Sequence, residues 1–156
     1  MNPQSPRSIL KTMRLIHMAM LGSLAIFSVI CIYLRKELSI TIDKQTVEIL
    51  YYISIFSVLV CIPLGYWLHS RKIRAIVNNT EFMFKLNFYQ TSHITKMALF
   101  EASGFLSLIV LIVGANNYIL LQIGIILIFM LLNTPSVHKL TTELGLSHEE
   151  SNLLML

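Results

Sequence analysis

Residues 15–34 contain no Asp, Glu, Lys or Arg, and neither do residues 49–68. About 20 apolar residues is the length an α-helix needs to cross a bilayer core roughly 30 Å thick. A third run, 97–114, holds a single carboxylate, Glu101, and ends at Gly114, Ala115, Asn116 and Asn117, a turn signal. A fourth uncharged run, 115–132, follows at once and closes against Thr134 and Pro135. The pattern predicts an all-α fold: one domain, a membrane four-helix bundle made of two helical hairpins, with the lipid bilayer as its solvent. Composition agrees where it matters. The 156 residues are 55% hydrophobic and 13% charged, with mean hydropathy +0.70, more apolar surface than a water-soluble domain keeps covered.

Pro63 lies inside the second run and predicts a kinked span, which membrane helices tolerate. The cations set the orientation, because short cytoplasmic flanks accumulate Lys and Arg. Arg7, Lys11, Arg14, Arg71, Lys72, Arg74, Lys85, Lys96 and Lys139 fall on one side, against Arg35, Lys36 and Lys44 on the other. Both termini and the central loop are therefore predicted cytoplasmic, in a bacterial plasma (inner) membrane. Tyr33, Tyr51, Tyr52 and Tyr118 mark one interface, and Tyr66 and Trp67 the other. The net charge of +4 is read as a topology signal, with no nucleic-acid partner implied.

Outside the spans, residues 1–8 read as disordered or frayed. Helical spacing of Phe82, Lys85, Tyr89, Ser92, His93 and Lys96 extends the third helix back to about Thr80, projecting it into the cytosol. An amphipathic interfacial helix is expected over about 135–144, capped by Thr134 with Pro135 first, carrying Val137, Leu140 and Leu144 on one face and ended by Gly145. Ser147 and Glu150 then form a capping pattern ahead of Leu153 and Leu154. Cys31 and Cys61 sit at different depths, so neither a disulfide nor a metal site is expected, and no cofactor motif is present.

Glu101 breaks the hydrophobic logic. A charged residue at a helix centre costs about 2.5 to 3.5 kcal/mol on insertion scales and calls for a partner or a proton. The depth count offers Arg14, His17 and Tyr66 as partners, with Lys96 nearer the water as a further ion-pair candidate. The main reading is a structural acid that sets helix register. The competing one is a proton or cation site at Glu101, served by His17 or His93. The small residues Ala98, Ala102, Gly104 and Ser107 on the third helix, with Ala19 and Gly22 on the first, predict close packing of these two helices around Glu101. His69, His138 and His148 read as polar surface.

The stretch Ala98-Leu99-Phe100-Glu101-Ala102 resembles the carboxylate-bearing helix of rotary ATPase ring subunits, which would make Glu101 a proton or sodium carrier. The chain departs from that family in its few helical glycines, its missing Arg-Gln-Pro loop and its charged C-terminal extension. More of it, through Tyr89, Gln90, Ala98, Leu99 and Glu101 and the Pro-containing tail, is similar to small four-helix integral membrane proteins of bacteria. That resemblance implies an architecture and no activity. With no nucleophile, metal or nucleotide motif, the sequence points to a non-enzymatic accessory or scaffold membrane protein with a membrane-protein partner or a second copy. The alternative is a proton- or cation-coupled transport subunit using Glu101.

Overall fold

The computed structural model describes residues 5–37, 42–77, 81–114 and 116–155, and these form six helices with no strand among them. They are α1 (Pro6–Glu37), α2 (Lys44–Ile76), α3 (Phe82–Ile112), α4 (Tyr118–Leu132), α5 (Val137–Leu144) and α6 (His148–Met155). Chains this poor in polar side chains leave the backbone to satisfy its own N–H and C=O groups, and the helix does so within one segment. α1, α2 and α3 are each long and apolar enough to cross a membrane, and α4 with α5 passes the same test as a pair bent by 77°.

The helix ends follow local chemistry. The Asp43 carboxylate accepts from the Thr46 amide at 2.8 Å and starts α2. α1 begins at Pro6, so the fraying expected through residue 8 does not extend that far; residues 1–4 lie outside the described residues. Ser5 starts the helix, its Oγ accepting from the Ser8 amide and its carbonyl from the Ser8 hydroxyl. α3 starts at Phe82, and Thr80 lies outside the described residues. The cap of α5 is Ser136, whose Oγ accepts from the Lys139 amide, in place of Thr134; the Thr134 hydroxyl instead donates to the Leu131 carbonyl. Gly145 ends α5 at φ +59°, a left-handed position that glycine adopts without strain. Ser147 and Glu150 exchange the reciprocal bonds of a capping box, which starts α6.

α3 is the central helix. α1, α2 and α4 pack on it, and α1 and α2 each pack mainly on α3. One apolar core runs through the middle, with Leu24, Met97, Phe100, Leu108, Leu111, Ile119, Ile126 and Met130. A second lies at the end carrying both termini, where Ile9, Leu10 and Met13 of α1 meet Ile73 and Ile76 of α2, Leu86 and Tyr89 of α3, and Leu140, Leu144 and Leu154 from the tail. The first turns of α3 are therefore covered, and Lys85, Leu86, Tyr89, Ser92, His93 and Lys96 are buried rather than projecting freely. α2 runs through Pro63 as one helix, with Pro63 exposed. Cys31 and Cys61 are both free thiols.

The outside of the long helices is apolar. Leu15, Val29, Phe56, Leu59, Leu121 and Leu132 are each 66–70% exposed. Inside that apolar shell, Gln122 Nε2 on α4 donates to the Ser54 and Ser107 hydroxyls at 2.7 and 2.8 Å, tying α2, α3 and α4 together at one point.

Candidate functional site

Glu101 lies half-buried on the α1–α3 seam. Its Oε1 accepts from the Ser23 hydroxyl at 2.6 Å, and among the described residues no cation reaches it. The expected partners are engaged elsewhere. Arg14 Nε donates to the Pro135 carbonyl at 3.1 Å, holding the elbow between α4 and α5. His17 Nδ1 lies 3.2 Å from His93 Nε2, and its Nε2 is 3.4 Å from the Thr134 hydroxyl. The Tyr66 hydroxyl accepts from Asn133 at 2.5 Å. Helix phase explains the difference: Ser23, six residues beyond His17, is the α1 side chain that comes round to the depth of Glu101.

The small residues divide sharply. Gly104 is packed: a Cβ there would sit 2.7 Å from Leu24 Cδ2. Ser103 and Ser107 are buried beside it. Ala19, Ala98 and Ala102 are instead exposed, and a Cβ at Gly22 would meet nothing within 4 Å. Ala98, Ala102 and Ile109 share the face of α3 that faces outward. Glu101 thus borders exposed small side chains on an apolar exterior.

A second polar assembly fills the bundle at the end carrying the termini, and of it the sequence offers His17, Tyr66 and Lys96, with His93 as the alternative to His17 in serving Glu101. Lys96, 4% exposed, donates to Asn133 Oδ1 at 3.0 Å and stands over the Tyr66 ring, 5.2 Å from its centroid. His69 is buried rather than surface-lying, because α5 folds back over it. Its Nε2 donates to Glu143 Oε2 at 2.9 Å, leaving Nδ1 to accept from the Ser92 hydroxyl at 2.9 Å. His93 stacks on Tyr89 with an interplanar angle of 8°. Its Nδ1 is the buried side-chain polar atom among the described residues with no partner. Burial acts to raise the Glu143 carboxyl; hydrogen bonds from His69 and Tyr89, with the nearby charge of Lys96, outweigh it and hold the group below the ordinary carboxylate range.

The Ser92–His69–Glu143 chain has the connectivity of a hydrolytic triad, but its Ser92 hydroxyl opens on none of the described cavities. Ser92 is 1% exposed in mid-helix and does not line the adjoining cavity of about 330 Å³, which is bounded by Tyr66, His69, Arg74, Lys96, Lys139 and Glu143. A nucleophile needs a space where a reacting carbonyl can sit beside oxyanion donors. Among the described residues no three His, Cys, Asp or Glu side chains gather as a metal site. His69 and Glu143 escape a sequence reading because they are 74 residues apart and only the fold-back of α5 joins them. No protein-family model, curated protein or solved structure matches the chain.

Proposed function

We propose that the chain is a four-span integral membrane protein of a bacterial plasma membrane, with both termini cytoplasmic, acting as a non-enzymatic accessory protein that binds one helix of a membrane partner. The apolar exterior supports the bilayer, since exposed faces of this extent are stable only where water is absent. Four crossings are supported by the meeting of Leu10 and Met13 with Leu140 and Leu154 at one end. A chain whose two ends lie on the same side crosses an even number of times. The similarity to small four-helix bacterial proteins belongs to the same reading.

The observation that carries the function is Glu101. A carboxylate whose bond among the described residues is to Ser23, beside the outward Ala98 and Ala102, faces lipid at a cost that a neighbouring helix with a donor or cation removes. What the carboxylate lacks is a donor or a cation, so the reading commits to a partner helix that carries one.

The test is purification in mild detergent of wild type and of Ala98→Leu/Ala102→Leu, which fills the space over that small-residue face. The expected result is a stoichiometric membrane partner that the filled variant loses while staying monodisperse, and that Glu101→Gln weakens. Absence of such a partner from the wild type sinks the reading. Proton or cation flux by wild-type protein in vesicles, abolished by Glu101→Gln, establishes the transport alternative instead.

A further inference from the structure

Near the end of α2, Tyr66, Ser70 and Arg74 recur at four-residue spacing and so share one face of the helix. They line a cavity of about 330 Å³ whose other side is made by Lys96 of α3, Asn133 at the end of α4, and Lys139 and Glu143 of α5. About 300 Å³ is the lower end of the range for pockets that hold small ligands. Ser70 and Arg74 are exposed and stand at the mouth, whereas Lys96, 4% exposed, lies at the floor.

Lys96 is a buried ammonium held by neutral groups. Its Nζ donates to Asn133 Oδ1 at 3.0 Å and stands 5.2 Å from the Tyr66 ring centroid. Glu143 attracts it through space, but among the described residues no carboxylate pairs with it. Buried charges are ordinarily paired, because a neutral acceptor offsets only part of the lost hydration. The rest of the lining adds to the surplus of donors. Lys139 Nζ donates to the Leu132 carbonyl, again a neutral oxygen. Among the described residues Arg74 and the Ser70 hydroxyl have no partner, and the Tyr66 hydroxyl accepts from Asn133, which leaves its own proton free. The one carboxylate of the lining, Glu143, is already engaged by His69 and Tyr89.

We propose that this cavity binds a phosphomonoester, with Lys96, Lys139 and Arg74 as its counter-charges and the Ser70 and Tyr66 hydroxyls as further donors. Three cations against one carboxylate leave a surplus of two charges, which a phosphomonoester, at about −1.5 to −2 near neutral pH, cancels. The donors come from α2, α3 and α5, so a tetrahedral group that accepts in several directions meets them where a planar carboxylate does not. A soluble ester and a lipid headgroup present the same dianion. Once bound, the phosphate joins Lys139 on α5 to Lys96 on α3, beside the His69–Glu143 contact, and so ties the C-terminal cap to the bundle. The site is separate from Glu101 and does not depend on what binds there.

The experiment is native mass spectrometry of the full chain in neutral detergent, titrated separately with glycerol 3-phosphate, phosphatidic acid, phosphatidylcholine and succinate. Wild type is expected to retain one phosphomonoester per chain, in preference to phosphatidylcholine and succinate. Retention of glycerol 3-phosphate assigns a soluble source, and retention of phosphatidic acid alone assigns a lipid one. Arg74→Gln, at an exposed position where the fold is not at stake, is expected to weaken binding about tenfold, the usual strength of a hydrogen bond to a charged group. Lys96→Met removes the buried charge at similar volume and is expected to stay folded while losing at least about tenfold in affinity. Lys72→Gln, the same charge change on α2 outside the cavity lining, is expected to leave binding unchanged. Retention of neither phosphomonoester, equal retention of succinate or phosphatidylcholine, full binding by Arg74→Gln, or a loss in Lys72→Gln as large as in Arg74→Gln overturns the proposal.

Discussion

At Gly104 and Gly22 the same residue type does opposite things. Gly104 lets Leu24 approach so closely that an added Cβ lies 2.7 and 2.8 Å from its two Cδ atoms, and Leu24 is fully buried with nowhere to move. Gly65 is similarly crowded, a Cβ there falling 2.9 Å from Phe100 Cε1. Gly104→Ala and Gly65→Ala are each expected to destabilise the bundle by about 1 to 3 kcal/mol through overpacking. Gly22→Ala and Gly124→Ala meet nothing within 4 Å and are expected to be neutral, or to stabilise by up to about 1 kcal/mol through helix propensity. Thermal or denaturant unfolding in detergent checks all four, and equal effects at Gly104 and Gly22 would refute the seam. The small-residue spacing was legible in the amino-acid string, and so was the pairing of α1 with α3. Which small residue faces which neighbour was not, because a three- or four-residue period repeats on every face and only the packed helix phase separates Gly104 from Ala102.

At the scale of the element, the C-terminal cap shows what local patterns reveal and where they stop. The end of α5 and the start of α6 were readable because Gly145, Ser147 and Glu150 act within one turn of themselves, whereas the start of α5 falls two residues later than Thr134 and Pro135 suggested. The docking of α5 was not, since its polar anchor joins Glu143 to His69 on α2 and Tyr89 on α3. The anchor carries a pH dependence. The Glu143 carboxyl is held below its ordinary value of 4.5, so its contribution to docking is complete above about pH 4.5 and is lost as pH falls through the folded value. Amide exchange is expected to show α5 and α6 losing protection under acid while the apolar core around Phe100 keeps it. Glu143→Gln is expected to start less protected at neutral pH and to change little on acidification; a variant as acid-sensitive as the wild type would assign the transition to another group.

At the scale of the whole molecule, α4 is the element on which topology turns. Its 15 residues rise about 22 Å, short of a bilayer core of roughly 30 Å. Hydropathy over the long helices alone supports three crossings, which would place the two ends of the chain on opposite sides. The packing argues otherwise. At one end Arg35 Nη1 on α1 donates to Asn117 Oδ1 at 3.0 Å, just before α4 begins. At the other, Arg14 of the same helix holds the Pro135 carbonyl, just after α4 ends. α4 therefore covers the distance between residues 14 and 35 of α1, about 31 Å at 1.5 Å per residue, with its flanking turns supplying what its own length lacks. That matches the roughly 30 Å that the proposed fourth crossing requires. Single cysteines placed at residues 2 and 152, in a chain with Cys31 and Cys61 replaced, are accordingly expected to react with a membrane-impermeant maleimide from the same side of sealed vesicles. A cysteine at position 116 is expected to react from the other. Labelling of positions 2 and 152 from opposite sides would reduce α4 to a re-entrant element and leave three crossings.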